Sequence, residues 1–293
     1  MTGRVVVIGD ALIDELRDET GVREFVGGAG LNVAVGLSRL GVPASLIAMV
    51  GDDEAGEQIR RYLDEYDVEL LVSPSEHGTS RAVSTRSAGG EPEYVFNEAA
   101  QNRRVSYGDV ERAAIAAAPM VVVSCFPFDD REQTDLLIDA TASPSTPLAI
   151  DPNPRSGMLH DRAEFVRGFE KAASGALLVK VGEDDAHLLY DAPLEHLREK
   201  LIGLGVGAVL ATYGAGGAAI DAGGTSVSRG ISDLPGRIVD TMGGGDAVLA
   251  TTAALVRDRL PETAQEWDAV LSRAMDVAAA TCRREGALLR TPA

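Results

Sequence analysis

The chain has little from which to build a disulfide framework or a metal centre. Its 293 residues include two cysteines, Cys125 and Cys282, far apart and outside the paired spacing that zinc sites use. Both are expected as buried thiols in a reducing compartment. The four histidines, His77, His160, His187 and His196, show no ligand spacing. Basic charge is also short: 27 Lys and Arg stand against 45 Asp and Glu, a formal charge of −18. A mean field of that sign repels nucleic acid and anionic membranes, so neither is expected as a partner. The apolar run Val5–Ile8 stops at Gly9 and Asp10, too short for a signal peptide or a membrane span, and a cytoplasmic protein is expected. There is no internal repeat and no GxxxxGK[ST] nucleotide loop.

What is present is enough apolar sequence, 45% of residues, for a substantial core. Short β-branched runs bounded by Gly, Pro or Asp recur at Val5–Ile8, Ser45–Val50, Met120–Cys125, Leu148–Ile150, Ala176–Val181 and Ala208–Tyr213. Such runs, with helical patterns such as Ala55–Tyr66 and Asp130–Thr141 between them, predict an α/β fold: an open, doubly wound, mostly parallel sheet with helices on both faces. One stretch breaks the alternation. Arg81–Thr85 and Tyr94–Phe96, separated by Ala88-Gly89-Gly90-Glu91-Pro92, predict a hairpin, an edge decoration or a lid over the strand ends. The segment from Ala142 to Pro147 predicts a loop.

Two glycine clusters carry the chemistry. Asp240-Thr241-Met242-Gly243-Gly244-Gly245-Asp246 runs straight into the apolar stretch Ala247–Val256. Glycines let backbone N–H groups approach an anion, and a helix start adds unpaired donors and the positive end of its dipole. An acid beside that anion makes sense as a proton acceptor for an attacking hydroxyl, although a capped helix start explains the segment equally well by itself. The second cluster, Val26-Gly27-Gly28-Ala29-Gly30-Leu31-Asn32, opens a helix that Gly41 and Pro43 stop, with Asn32 either capping or facing a polyol. Asp14 follows the first strand at the edge where open α/β sheets bind ligands. Asp151-Pro152-Asn153-Pro154-Arg155 closes another strand, where Arg155 can pair with phosphate or sit on a solvated turn. Glu183, Asp184 and Asp185 open a helix after Lys180-Val181-Gly182; such acids suit the helix dipole and could also orient water around magnesium. Gly214-Ala215-Gly216-Gly217 precedes a turn, not the helix a dinucleotide needs.

The two clusters in this order resemble the PfkB, or ribokinase-like, family of carbohydrate kinases, over essentially the whole chain. GGAGLNVAVGLSRLG is similar to its N-terminal signature and VDTMGGGDAVLA to its C-terminal one. GDALID, VGDDEAG, TSRAV, DPNPR, ATYGAGG and TCRREGA are supporting matches, and DPNPR and TCRREGA lean toward the fructokinase-like branch. The resemblance implies one ribokinase-like domain over residues 1–293 with a small β lid from about 12–30 and 74–104. It implies transfer of the γ-phosphoryl group of ATP to a hydroxyl of a small free sugar. Asp246 would be the base, Gly243, Gly244 and Gly245 the anion hole, and Asp14, Gly28, Asn32 and Arg155 contacts to sugar or γ-phosphate. Thr212, Gly214 and Gly217 would contact nucleotide, and Asp185 would hold Mg2+ through water. In potassium-activated members Asp240 would lie near K+. Alternatives within the fold are a ribokinase, a 2-keto-3-deoxygluconate kinase and a nucleoside kinase; outside catalysis, a sugar or nucleotide sensor. The chain departs at GGG for the usual GAG, at Gly182 for Asn or Ser, and at Asp185 for Glu. The lid strands would also allow two copies to pair.

Overall fold

A computed structural model describes residues 3–18, 21–85, 93–143 and 146–292. The main sheet has nine strands, in the spatial order Thr225–Arg229, Ala218–Ala222, Ala208–Thr212, Leu178–Gly182, Leu148–Asp151, Val121–Ser124, Val5–Gly9, Ala44–Val50 and Glu69–Pro74. Neighbours from Ala208–Thr212 onward are parallel; the first two strands are antiparallel additions. Period-two alternation divides each buried strand between two cores. Val5 and Val7 pack with the helices Ala29–Arg39, Gly244–Val256 and Ala264–Thr281, while Val6 and Ile8 pack with Arg131–Ala140, Arg162–Ala173 and Leu194–Gly203 on the other face. The expected doubly wound α/β fold is therefore present. The Gly214–Gly217 segment leads into the hairpin Ala218–Ala222 and Thr225–Arg229, as its glycines at 223 and 224 suggest.

The predicted hairpin is half of a larger unit. A separate four-stranded sheet has the order Gly21–Gly27, Leu12–Asp18, Arg81–Thr85, Glu93–Phe96. Its first pair is antiparallel, and Leu12–Asp18 then runs parallel to Arg81–Thr85. The turn expected between the hairpin strands lies outside the described residues, as do Pro144 and Ser145 of the loop after Ala142. Asp14 does not simply follow the first strand: it sits inside a lid strand that begins three residues after Val5–Gly9 ends. The root of the lid is pinned where it leaves the body. Asn97 Nδ2 donates to the Thr79 carbonyl at 2.9 Å, its Oδ1 accepts from Arg81 N–H at 2.9 Å, and Asp53 accepts from Thr79 N–H at 2.8 Å. Val22 and Val95 on the lid are 61% and 58% exposed. Among the described residues no helix is long and apolar enough to cross a membrane.

Candidate active site

The carboxyl ends of the main-sheet strands and the underside of the lid enclose one acidic cleft. Gly243 begins the phosphate side. Its φ of +73° is left-handed, and a Cβ there would lie 2.6 Å from Ala287 Cα, so only glycine turns the chain into the helix Gly244–Val256. The Gly244 N–H donates to the Thr241 carbonyl at 3.2 Å. The next N–H groups, of Gly245 and Asp246, belong to the first helical turn, which has no intrahelical partners for its donors. An anion would meet these donors and the positive helix end. Asp246 itself is buried, at 8% exposure, and its Oδ2 accepts from Asn32 Nδ2 at 2.8 Å. The two glycine clusters, 214 residues apart along the chain at this contact, thus meet side chain to side chain. Burial pushes the Asp246 carboxyl up to about 6; the Asn32 hydrogen bond, Lys180 and Arg155 pull the other way, and Asp151 adds to the rise.

The residues expected to contact sugar are built around Gly28. Its φ is +109°, and a Cβ would lie 2.7 Å from the Asp10 carbonyl oxygen, so packing alone demands glycine here. That tight passage starts the helix Ala29–Arg39 under the control of Asp10, whose Oδ1 accepts from Gly30 N–H and whose carbonyl accepts from Leu31 N–H, both at 3.0 Å. Asp10 was visible in the sequence only as the acid after the first strand. Asp14 lies in the cleft with its Oδ2 against Gly27, and burial pushes it up to about 7, with Asp10 and Asp246 adding and Arg155 opposing. Arg155 lies at the exposed mouth; the surrounding Cys125, Asp246, Asp10 and Asp185 outweigh its desolvation and hold it firmly charged. Beneath the lid root, a narrow cavity lined by Asp10, Ser80, Arg103 and Cys125 has room for about one water.

The residues expected on the nucleotide side share the neighbouring strand ends. Thr212 closes Ala208–Thr212 beside Gly182, its Oγ1 3.4 Å from the Val181 carbonyl. Gly214 is exposed with φ +51°. Gly217 is buried, and a Cβ there would lie 2.0 Å from the Arg229 carbonyl, so this glycine has a packing reason of its own. Asp185 is buried, and its Oδ2 accepts from Gly182 N–H at 2.6 Å; burial pushes it up to about 6, with Lys180 opposing. Among the described residues, no three His, Cys, Asp or Glu side chains converge as metal ligands. This donor set suits a divalent cation carried in by nucleotide phosphates and water, not one caged by the protein. Both Asp240 oxygens accept backbone N–H bonds, from Met242 at 3.0 Å and Gly286 at 3.1 Å. The lid edge reaches the same tail, through an ion pair of 2.5 Å between Arg23 and Glu285.

Sequence reasoning passed over a buried pair in the middle of the site. Lys180 Nζ lies 2.9 Å from Asp151 Oδ2, with the two side chains 9% and 0% exposed. The only signal was periodic: Lys180 shares a face with Leu178, and Asp151 with Ala149, both of which belong to the core under the Gly244–Val256 helix.

A doubly wound sheet with a phosphate-ready helix start, a buried acid beside it and a lid over its strand ends defines a phosphotransferase. The pfkB family carbohydrate kinase profile matches residues 2–293, and the chain belongs to that family. It is thus a carbohydrate kinase, an enzyme of ATP-dependent sugar phosphorylation with an alcohol group as acceptor. An ATP-dependent 6-phosphofructokinase of Thermoanaerobacterium thermosaccharolyticum is 26% identical over 257 residues, 83% of this chain and 78% of that protein. A fructokinase of Rhizobium leguminosarum bv. trifolii is 28% identical over 272 residues, 87% and 81% of the two chains. In structure, a fructokinase with bound ATP from Xylella fastidiosa superposes with a TM-score of 0.83 at 19% identity, covering 98% of this chain and 94% of that one.

Proposed function

We propose that the enzyme is a fructokinase-type kinase that phosphorylates a hydroxyl of a small, neutral, free sugar. The observation that carries this is the Asn32–Asp246 hydrogen bond, which joins the candidate sugar-binding cluster to the candidate phosphate-binding one. In the proposed reaction, Asp14 and Asn32 orient the sugar by accepting and donating hydrogen bonds to its hydroxyls. Asp246 accepts the proton of the attacking hydroxyl as that oxygen bonds to the γ-phosphorus and the bond to ADP breaks. Its buried position keeps the carboxylate short of solvent hydrogen bonds and therefore basic. The N–H groups at Gly243–Gly245, that of Gly244 by turning from the Thr241 carbonyl, and the Arg155 guanidinium meet the charge on the phosphoryl oxygens. Thr212, Gly214 and Gly217 line the nucleotide side. Magnesium bound to the nucleotide would neutralise phosphate charge, with Asp185 orienting its water.

Preference for a neutral sugar is supported by two described arginines near the lid that are paired with acids. Arg81 pairs with Glu24 at 2.7 Å and Glu15 at 3.7 Å, and Arg104 with Glu132 and Asp130. Neither is left to clamp a carboxylate or a second phosphate. The lid, closing over the sugar, would exclude water that could otherwise accept the phosphoryl group. Its edge strands and the exposed Val22, Phe25 and Val95 also favour pairing of two copies through the lid, which sedimentation of the purified protein would test. The substrate is tested by ADP release with fructose, tagatose, ribose, fructose 6-phosphate, 2-keto-3-deoxygluconate and nucleosides, compared by kcat/KM. Highest values with fructose or tagatose are expected; a preference for fructose 6-phosphate or the keto acid would overturn the neutral-sugar assignment. No ADP release with any acceptor would favour a sensor.

A further inference from the structure

Lys180 and Asp151 are buried charges that the reaction as described does not use, and their placement is specific. The register Leu178↔Ala149 and Val179↔Ile150 brings Lys180 level with Asp151 on adjacent parallel strands, both turned toward the helix Gly244–Val256. Lys180 Nζ lies 2.9 Å from Asp151 Oδ2 and 3.2 Å from the point where a Cβ on Gly245 would stand. The ammonium therefore forms the floor under the first turn of the helix that carries Asp246. Asp151 is completely buried, with the Lys180 ammonium against its Oδ2 and Ser124, also fully buried, across the register from it. Burying two charges is costly unless they are paired, and a pair kept at this place in the fold sits where it can act on the site.

We propose that the Lys180–Asp151 pair is positioning machinery for Asp246: two opposed fixed charges under the Gly245 turn that hold the base in place and set how readily it ionises. This role rests on Asp246 being the base. The charged groups around Asp246 are Lys180 and Asp151 beneath it and Arg155 at the cleft mouth, with Asn32 bonded to it from the Ala29–Arg39 helix and Asp14 nearby on the lid. Lys180 favours the ionised base and Asp151 opposes it. Lys180 is itself pulled down by burial, but Asp151, Asp185 and Asp246 together outweigh that and keep it charged. The two members of the pair thus act on the base with opposite sign. Asp185 feels the same two charges with the same signs, so it cannot reverse the pattern.

The test is the pH dependence of kcat at saturating sugar and ATP for Lys180→Met, Asp151→Asn and the double variant, with Asp246→Asn alongside. Lys180→Met is expected to move the acid limb upward, so turnover near pH 6 falls about tenfold further than turnover near pH 8 for each pH unit of movement. Asp151→Asn is expected to move the limb downward, and the double variant to return it close to the parent. KM for sugar and ATP is expected to change less than about threefold, since the pair touches neither. If Lys180→Met does not fold, because it strands a buried carboxylate, the Asp151→Asn and double variants carry the same prediction through opposed and restored limbs. Parallel profiles in the folded variants, or limbs moving the same way, would overturn the proposal. A large rise in the KM for ATP with an unmoved limb would also overturn it, making Lys180 a phosphate ligand instead. Near-normal turnover by Asp246→Asn is a different failure, that of the base assignment.

Discussion

Replacing Asp246 by Asn should stabilise the protein while stopping it. In the folded state burial pushes this carboxyl from 3.8 up to about 6, with Asn32, Lys180 and Arg155 only partly offsetting that and Asp151 adding to it. The folded state therefore keeps the proton through a window in which the unfolded chain has already released it. Folded molecules bind more protons between about pH 4 and 6, so stability falls as pH rises through that window and the cost is fully present above it. At roughly 1.4 kcal/mol per pH unit the cost is about 3 kcal/mol as an upper value, because Asp246 is only 8% exposed and poorly screened. Asparagine has the same size, is neutral and can still accept from Asn32 Nδ2, so it removes the cost without opening a cavity. Urea unfolding at about pH 8 should give the variant a gain of about 1–3 kcal/mol with an unchanged m-value, shrinking toward zero near pH 4. ADP release by the same preparation should fall by about a hundredfold or more, within the range of a lost general base. A variant no more stable than the parent at pH 8, or a gain that persists unchanged at pH 4, would refute the idea that Asp246 is held ionised at a cost.

Asn32→Ala should raise the acid limb of kcat, because the lost hydrogen bond favours the ionised base; turnover near pH 6 should drop about tenfold, and less at pH 8. Gly243→Ala should cost about 1–3 kcal/mol in denaturant unfolding through backbone strain at φ +73°, before the clash with Ala287 is counted, and should lower kcat/KM for ATP. For Asp14, pushed up to about 7 by burial, kcat/KM for the sugar should rise as pH increases through 7; Asp14→Asn should lose that limb and raise the sugar KM while changing kcat less.

The core strands were legible because β-branched runs such as Val5–Ile8 are buried on both faces and carry no competing pattern. Leu12–Asp18 and Gly21–Gly27 were placed in the β lid by the family resemblance alone, not by their pattern. Their sequences, LIDELRD and GVREFVG, mix charge and apolar residues without clean alternation, since one side of the lid sheet meets solvent and the other a polar cleft. The site shows the same division. Gly243, Asp246 and Asn32 were readable from glycine chemistry and helix starts. Gly28 and Gly217 prove to be demanded by close backbone approaches, to Asp10 and Arg229, that no local pattern announces. Lys180 and Asp151 escaped because their meaning lies in parallel-strand register, a tertiary fact, and a lysine at a strand end ordinarily reads as solvated.

The lid leaves the body and returns to it at neighbouring points: Asp10 and Ala11 on the way out, Gly28 on the way back, and then Thr79–Ser80 and Asn97, with Ile13 N–H bonded to the Ser80 carbonyl at 3.0 Å. Asp14 travels with this unit, whereas Asp246 and the glycine turn stay with the main sheet. On the proposed reading, exchanging residues 11–27 and 80–97 as a set with those of a relative would move Asp14 and its share of the acceptor preference while leaving Gly28, Asn32, Arg155 and the transfer chemistry in place, so specificity can be retuned in this fold by shuffling two segments.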